Sequence, residues 1–170
     1  IGLIWDGTGY GTDGTIWGAE CLAGGYGGFE RLGSIRPIPL IGGDKAAKES
    51  FRVAFALLNG SGCDTDGIEN AALLTAMLKS GLNCPLSSGM GRLFDGVAAI
   101  LGIKDRCSYE GQGAVLLEAA AGTDCEGRYE NALSGEPLCF DWREMIRTIV
   151  SDGRGVGGKA AMFMNTLVDM

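Results

Sequence analysis

The feature that most constrains the fold is a short apolar run followed by an acidic residue and a glycine-rich stretch. Residues 1–5 are predicted to form a strand that ends at Asp6, and a second strand is predicted at 15–22. Four glycines lie between them, at positions 7, 9, 11 and 14. Glycine allows positive φ and a close approach of backbone to a ligand. A carboxylate at the end of a buried strand is costly unless it is paired or binds something. We therefore predict a ligand at the tip of the first strand.

Residues 9–14 match the pattern G-x-G-x-x-G, which in dinucleotide-binding folds opens a helix. Here the residues that follow, 15–17, are strand-like (Thr-Ile-Trp), so the motif is predicted to lie in a hairpin and a Rossmann fold is excluded. Two interpretations stay open. The stretch is either a plain glycine-rich hairpin or a turn whose successive N–H groups bind a phosphate, and we favour the second.

Composition excludes several classes of function. The 170-residue chain suits one domain, and its net charge of −7 argues against a nucleic-acid partner. It has no histidine, which removes histidine-based catalysis and histidine metal sites from this sequence. Six cysteines without a C-x-x-C pair indicate reduced thiols rather than a zinc site or disulfides. No apolar run is long enough to span a membrane, and we expect a cytoplasmic protein.

The remaining pattern predicts an α+β fold. A third strand at 29–37 would complete an N-terminal, antiparallel three-stranded β-meander, and a mainly helical region follows. Helices are predicted at 45–58, 68–80, 91–101, 110–121, 142–150 and 159–170, with a small hairpin around 134–135. We interpret residues 1–170 as a single domain, with a strand-rich lobe at 1–43 and a helical part at 44–170.

Two further motifs favour ordinary loops. Residues 153–159 match G-x-x-x-x-G-K, but Ala160 stands where a P-loop requires Ser or Thr, and a helix rather than a strand precedes. Residues 63–67 resemble part of a calcium loop, but the glycine comes too early and no glutamate falls at the twelfth position.

Residues 87–102 carry a more specific pattern, in which small residues lead into a helix whose first turn holds Arg92 and Asp95, and Ser87 or Ser88 is predicted to cap this helix. A helix N-terminus attracts phosphate, and a carboxylate can accept hydrogen bonds from sugar hydroxyls. The alternative is an ordinary capped helix in which Asp95 favours the helix dipole.

Six segments, spread in order through most of the chain, carry a further signal. They are Trp5-Asp6-Gly7-Thr8-Gly9-Tyr10-Gly11, residues 13–20 (DGTIWGAE), 36–40 (RPIPL), 42–44 (GGD), 87–95 (SSGMGRLFD) and 108–112 (SYEGQ). In their order and spacing, these segments resemble the HypF hydrogenase-maturation carbamoyltransferases.

The resemblance implies a partial actin-like (ASKHA) domain related to the threonylcarbamoyl-transfer enzymes. It implies transfer of a carbamoyl group from carbamoyl-adenylate, made from carbamoyl phosphate and ATP, to the C-terminal cysteine of a HypE-type acceptor in the maturation of nickel–iron hydrogenase. By position, the resemblance makes Asp6 a ligand of one divalent metal, iron or zinc. It also assigns nucleotide or substrate contacts to Gly7, Thr8, Gly9, Tyr10, Gly91, Arg92, Asp95 and Gly111. Glu20 and Asp44 receive only supporting roles.

The resemblance also implies that parts of the site lie outside this sequence. The family's two metal-binding histidines would precede Ile1, and a Ser-Gly-Gly phosphate segment and a last metal-binding Asp would follow Met170. We therefore expect a piece of a longer protein that folds but is inactive alone. Two alternatives stay open: an actin-like O-carbamoyltransferase acting on a small molecule, and a non-catalytic helical interaction module.

Overall fold

The structure, a computed structural model, describes residues 1–5, 8–123, 125–131 and 133–170. Its strands are β1 (Gly2–Ile4), β2 (Gly9–Tyr10), β3 (Ile16–Trp17), β4 (Glu20–Gly25), β5 (Gly28–Ile35), β6 (Ile38–Pro39), β7 (Leu86–Ser87), β8 (Leu133–Ser134) and β9 (Leu138–Phe140). Its helices are α1 (Lys45–Lys48), α2 (Ser50–Gly60), α3 (Ala71–Ser80), α4 (Met90–Ile100), α5 (Gln112–Ala120), α6 (Arg143–Ser151) and α7 (Val156–Val168). The α+β class is confirmed.

The first sheet contains the predicted meander. Strands β1, β4 and β5 pair antiparallel in that order, with Leu3 opposite Cys21 and Cys21 opposite Gly33. Strand β9 then joins β5 in parallel, and β8 closes the small predicted hairpin with β9. A Cβ atom at Gly33 would lie 2.8 Å from the carbonyl oxygen of Leu138. The close approach of β5 and β9 therefore requires a glycine at this position.

A second sheet, in the order β2-β3-β7-β6, was not predicted. The prediction of one strand at 15–22 is wrong, because these residues form parts of two strands. Strand β3 belongs to the second sheet, and β4 belongs to the first sheet. The chain changes sheets at Gly18, whose carbonyl oxygen accepts a hydrogen bond from the N–H of Met90 instead of continuing a ladder. This switch brings the glycine-rich hairpin against the start of α4.

The predicted helix at 45–58 is divided into α1 and α2 at Glu49 (φ −104°, ψ 77°). The cause is a distant backbone segment. The N–H of Cys107 donates to the carbonyl oxygen of Lys48 at 2.7 Å, and the N–H of Phe51 donates to that of Asp105 at 3.2 Å. These two bonds take the place of helical backbone hydrogen bonds at this point. Because they come from a distant segment, no local sequence pattern could indicate the break.

The core lies where α2 and α4 cross, and both helices are buried over most of their length. Gly96 allows the crossing, because a Cβ there would lie 2.4 Å from Cδ1 of Leu57. The remaining large side chains that are fully buried include Phe55, Leu93, Leu117, Phe140, Trp142 and Phe163. This packing fixes the direction of α4, and therefore the place at which its N-terminus opens.

Three other expectations concern the whole chain. Within the described ranges, no helix is long and apolar enough to cross a membrane. All six cysteines are unbridged. The division into a strand-rich lobe at 1–43 and a helical part at 44–170 stays a prediction, and three short strands, β7, β8 and β9, lie within the second part.

Candidate functional site

A cleft of about 300 Å³ opens between the glycine-rich hairpin, the N-terminus of α4 and the start of α5. Its walls are formed partly by the backbone of glycines and partly by apolar side chains. Residues that line it are Trp5, Thr8, Ile16, Leu40, Gly43, Asp44, Ala47, Pro85, Ser87, Gly89, Gly91, Arg92, Glu110 and Gly111. Four of the predicted contact residues therefore meet in one cleft: Thr8, Gly91, Arg92 and Gly111.

The other predicted residues lie elsewhere. Gly9 and Tyr10 form β2 outside the cleft, and the Tyr10 side chain is 87% exposed. Asp95 lies one turn inside α4, behind the wall. Asp6, the predicted metal ligand, and Gly7 lie outside the described residues.

The turn of the glycine-rich hairpin uses its amides internally. Gly11 N–H donates to the Thr15 carbonyl at 2.8 Å, Gly14 N–H donates to the Gly11 carbonyl at 3.1 Å, and Thr15 N–H donates to Asp13 Oδ1 at 3.0 Å. A phosphate at this turn would have to displace these bonds. The structure therefore does not favour the phosphate-binding turn at 9–14, and on this side Thr8 and Ile16 face the cleft.

The N-terminus of α4 opens directly into the cleft. Gly89 occupies the N-cap position, and no side chain caps the helix. The expectation that Ser87 or Ser88 caps it is wrong, because Ser87 Oγ accepts from the N–H of Gly89 and the Ser88 hydroxyl is held by Glu20. A Cβ at Gly91 would meet nothing within 4 Å. The N–H of Met90 donates to the Gly18 carbonyl and that of Arg92 to the Gly89 carbonyl, which leaves the amide of Gly91, beside open space, as the donor of this turn that could bind an anion at the helix N-terminus.

Arg92 and Asp95 form an ion pair, with 3.0 Å between Arg92 Nη1 and Asp95 Oδ2. Asp95 is only 2% exposed, and a Cβ at Gly113 on α5 would lie 2.6 Å from its Oδ1. Burial raises the pKa of Asp95 to about 6, although the charge of Arg92 opposes this shift and that of Glu110 adds to it. A carboxyl group that titrates near neutrality beside a cleft is typical of functional sites.

Sequence reasoning missed one carboxylate of the cleft. Glu110 is exposed on the wall formed by the start of α5, next to Gly111. It lies in the matched segment 108–112, which is the signal that could have singled it out. Asp44, given a supporting role, is exposed on the opposite wall.

The other two motifs are used structurally. Lys159 Nζ donates to the carbonyl oxygen of Ile149 at 2.9 Å, so this lysine closes the C-terminal end of α6 and is not a phosphate ligand. In the 63–67 loop the Asp66 N–H donates to Asp64 Oδ1, a local turn. Among the residues whose positions are described, no cluster of three or more His, Cys, Asp or Glu could hold a metal ion.

Comparison with known proteins decides the family. Residues 2–170 match the family model described as "Carbamoyltransferase, Kae1-like Domain, second subdomain". The chain belongs to the HypF carbamoyltransferase family. The carbamoyltransferase HypF of Synechocystis sp. is 34% identical over 197 residues, which cover 100% of this chain and 26% of that protein. The HypF of Rhodobacter capsulatus is 48% identical over 125 residues, covering 70% of this chain and 17% of that protein.

Two solved structures of family members show the same fold. A full-length HypF crystallised in a phosphate- and nucleotide-bound form superposes with a TM-score of 0.87 at 33% identity, covering 99% of this chain and 28% of that one. HypF from T. kodakarensis gives a TM-score of 0.77 at 30% identity, with 94% and 24% covered. The partial actin-like fold is thereby confirmed, and the chain spans about a quarter of the length of these relatives.

Proposed function

We propose that this chain forms the nucleotide-holding wall of a carbamoyltransferase that transfers a carbamoyl group from carbamoyl-adenylate to the C-terminal cysteine of a HypE-type acceptor. The observation that carries the proposal is the meeting of Thr8, Gly91, Arg92 and Gly111 in one cleft at an uncapped helix N-terminus. A solved relative of the same fold is described as phosphate- and nucleotide-bound, which supports a nucleotide here.

The reaction is an acyl transfer. The acceptor thiolate attacks the carbamoyl carbon of the mixed anhydride, a carbon–sulfur bond forms, and the carbon–oxygen bond to the phosphate breaks. The products are an S-carbamoyl cysteine and AMP, which leaves with the electron pair on its phosphate oxygen. The thiolate comes from the partner, so no cysteine of this chain is required.

The chain's own residues would stabilise the charge on the adenylate phosphate. The N-terminus of α4 offers the amide of Gly91 and the positive end of the helix dipole, and Arg92 adds a guanidinium beside them. In the structure Arg92 separates Asp95 from the cleft. We infer that a bound phosphate draws Arg92 away and frees the carboxylate of Asp95 to accept hydrogen bonds from the ribose hydroxyls.

A metal stays part of the proposal only as a prediction at Asp6. Among the described residues, no cluster of three or more His, Cys, Asp or Glu could hold a metal ion, and Asp6 lies outside them. Carbamoyl phosphate and ATP as co-substrates, the role in nickel–iron hydrogenase maturation and the cytoplasmic location are likewise proposals. The HypF relatives favour this function over an O-carbamoyltransferase or a non-catalytic helical module.

The test is carbamoyl transfer by the full-length protein to a HypE-type acceptor, followed as a mass increase of one carbamoyl group at the acceptor's C-terminal cysteine. Gly91→Asp places a carboxylate where the phosphate would bind, in open space and at a helix start that tolerates acidic residues. We expect transfer to fall by about a hundredfold, since a like charge at close range costs several kcal/mol.

The matched control is Gly91→Asn, which has nearly the same shape without the charge. It should retain most of the activity that Gly91→Asp loses. Equal activity of the two variants would show that no anion binds at α4, and the proposal would then be wrong.

A further inference from the structure

Behind the cleft lies a polar cluster, buried at Glu20 and Ser88 and exposed at Asp13, that joins the glycine-rich hairpin to the first turn of α4. We call it the latch, and it consists of Asp13, Glu20, Arg31 and Ser88. We propose that the latch positions the two walls of the cleft relative to each other, so that Arg31 and Ser88 are positioning residues for the bound nucleotide. This inference rests on the proposed function.

Arg31 is the centre of the latch. Its Nη1 donates to Asp13 Oδ2 at 2.9 Å, and its Nη2 donates to Glu20 Oε1 at 2.8 Å and to Ser88 Oγ at 3.2 Å. The guanidinium also lies over the ring of Trp17, 4.3 Å from its centroid. One side chain on β5 therefore contacts the hairpin turn, the start of β4 and the residue that precedes the N-cap of α4.

Each acidic partner is held on several sides. Asp13 Oδ1 accepts from the Thr15 N–H, from the Thr15 hydroxyl at 2.7 Å and from Trp17 Nε1 at 2.9 Å. The hydrogen bond from the Thr15 hydroxyl is the largest cause that lowers the pKa of Asp13 below its ordinary value, and the charge of Arg31 lowers this pKa further. Glu20 is 3% exposed, and its Oε2 accepts from the Ala19 N–H at 2.8 Å. Because each carboxylate accepts several hydrogen bonds, the network fixes the geometry of both acidic side chains closely.

Ser88 transmits this geometry to the cleft. It is fully buried, its hydroxyl contacts Glu20 Oε1, and its N–H donates to the Ile16 carbonyl of β3 at 2.8 Å. The next residue, Gly89, is the N-cap of α4 and lines the cleft, as does Ile16 on the hairpin side. A displacement of Ser88 would therefore move the amides of α4 relative to the hairpin.

One donor of the latch has no acceptor among the described residues. Within the described part of the chain, the buried Nε of Arg31 finds no hydrogen-bond acceptor. An unpaired buried donor is unfavourable, and a hydrophobic cluster of similar volume would avoid that cost. A network that retains it is consistent with a role in positioning.

The experiment uses the full-length protein and azido-ATP as a photoaffinity probe, with labelled peptides identified by mass spectrometry. Only labelling of peptides from the cleft walls is scored, because an upstream adenylate-forming domain would bind the same probe. Ser88→Ala and Arg31→Lys are each expected to weaken labelling of the cleft about tenfold, the effect of losing a hydrogen bond to a charged group.

The two variants combined should weaken labelling by about as much as the stronger one alone, since both act through the same latch. Matched controls are Ser50→Ala, another fully buried hydrogen-bonded serine, and Arg143→Lys, another arginine paired with a carboxylate. Neither control residue lines the cleft, and both control variants should label as the unaltered protein does.

The melting temperatures of the latch variants distinguish a positioning role from a purely structural one. If the latch variants lower the melting temperature but label the cleft as strongly as the controls, the latch inference is overturned and the proposed function stands. If the unaltered protein shows no labelling of the cleft, the proposed nucleotide site fails and the latch inference fails with it. Should Arg31→Lys not fold, the milder Ser88→Ala decides.

Discussion

At the scale of single residues, the ionisation of Asp95 links the cleft to the stability of the chain. Its pKa in the folded chain is about 6, against an ordinary value of 3.8, because burial disfavours the charged form. The unfolded chain therefore releases this proton at lower pH. The stabilisation is present below the unfolded pKa and is lost as pH rises through the folded pKa, by up to about 3 kcal/mol.

The direction of this pH dependence gives a testable prediction for Asp95→Asn. The unfolding free energy of the unaltered chain, minus that of the variant, should decrease between about pH 4 and pH 6 and stay constant above. Other carboxylates with lowered pKa values, such as Asp141 and Asp152, titrate in both proteins and cancel in this difference. Denaturant titrations at several pH values would measure it, and a flat difference would show that Asp95 is not desolvated.

The glycines of α4 provide a second prediction at this scale. Gly96→Ala forces a Cβ to within 2.4 Å of Leu57 Cδ1 and 3.0 Å of Val53 Cγ1, and both neighbours are fully buried. The variant should lose about 1–2 kcal/mol, because overpacking outweighs the gain in helix propensity. Gly91→Ala on the same helix meets open space and should be neutral or slightly stabilising. Similar stability of the two variants, measured by urea denaturation, would contradict the packing of α2 against α4.

At the scale of elements, the sequence predicted those helices and strands whose formation depends on local residue patterns. The meander and α3 to α7 follow from strand patterning, helical spacing and turn residues, with shifts of a few residues at the ends. The two-residue strands of the second sheet carry too little pattern to be seen. The break at Glu49 depends on backbone bonds from residues 105 and 107, which become visible only in three dimensions.

The P-loop-like segment belongs to the same scale. Lys159 already donates to the carbonyl of Ile149, and a helix rather than a strand precedes the segment. Lys159→Met keeps the aliphatic stem and removes the charge, so it should leave nucleotide affinity unchanged and reduce stability by about 1 kcal/mol. Photoaffinity labelling of the cleft gives the affinity, and a tenfold weakening would show that this lysine binds phosphate after all.

At the scale of the whole molecule, the candidate site came from resemblance more than from residue patterns. Thr8, Gly91, Arg92 and Gly111 are up to 103 positions apart in the sequence, and only the fold brings them to one cleft. The latch shows the same limit, since Arg31 and Ser88 are separated by 57 positions. Their contact could not be predicted from either local sequence.

The expected inactivity of the isolated chain is a further prediction. Residues 1–170 span about a quarter of the relatives' length and contain no histidine. The chain alone should give no carbamoyl transfer to a HypE-type acceptor, under conditions in which the full-length protein modifies it. Turnover by the chain alone would mean that the essential groups all lie within these residues.

The central claim is that the cleft between the hairpin and α4 holds the adenylate. The most direct measurement is a crystal structure of the full-length protein grown with a nonhydrolysable ATP analogue and carbamoyl phosphate. We predict electron density for a nucleotide whose phosphate lies at the amide of Gly91 and the guanidinium of Arg92 and whose ribose lies near Asp95. A nucleotide bound only in another domain, with this cleft closed or filled by side chains, would contradict the account.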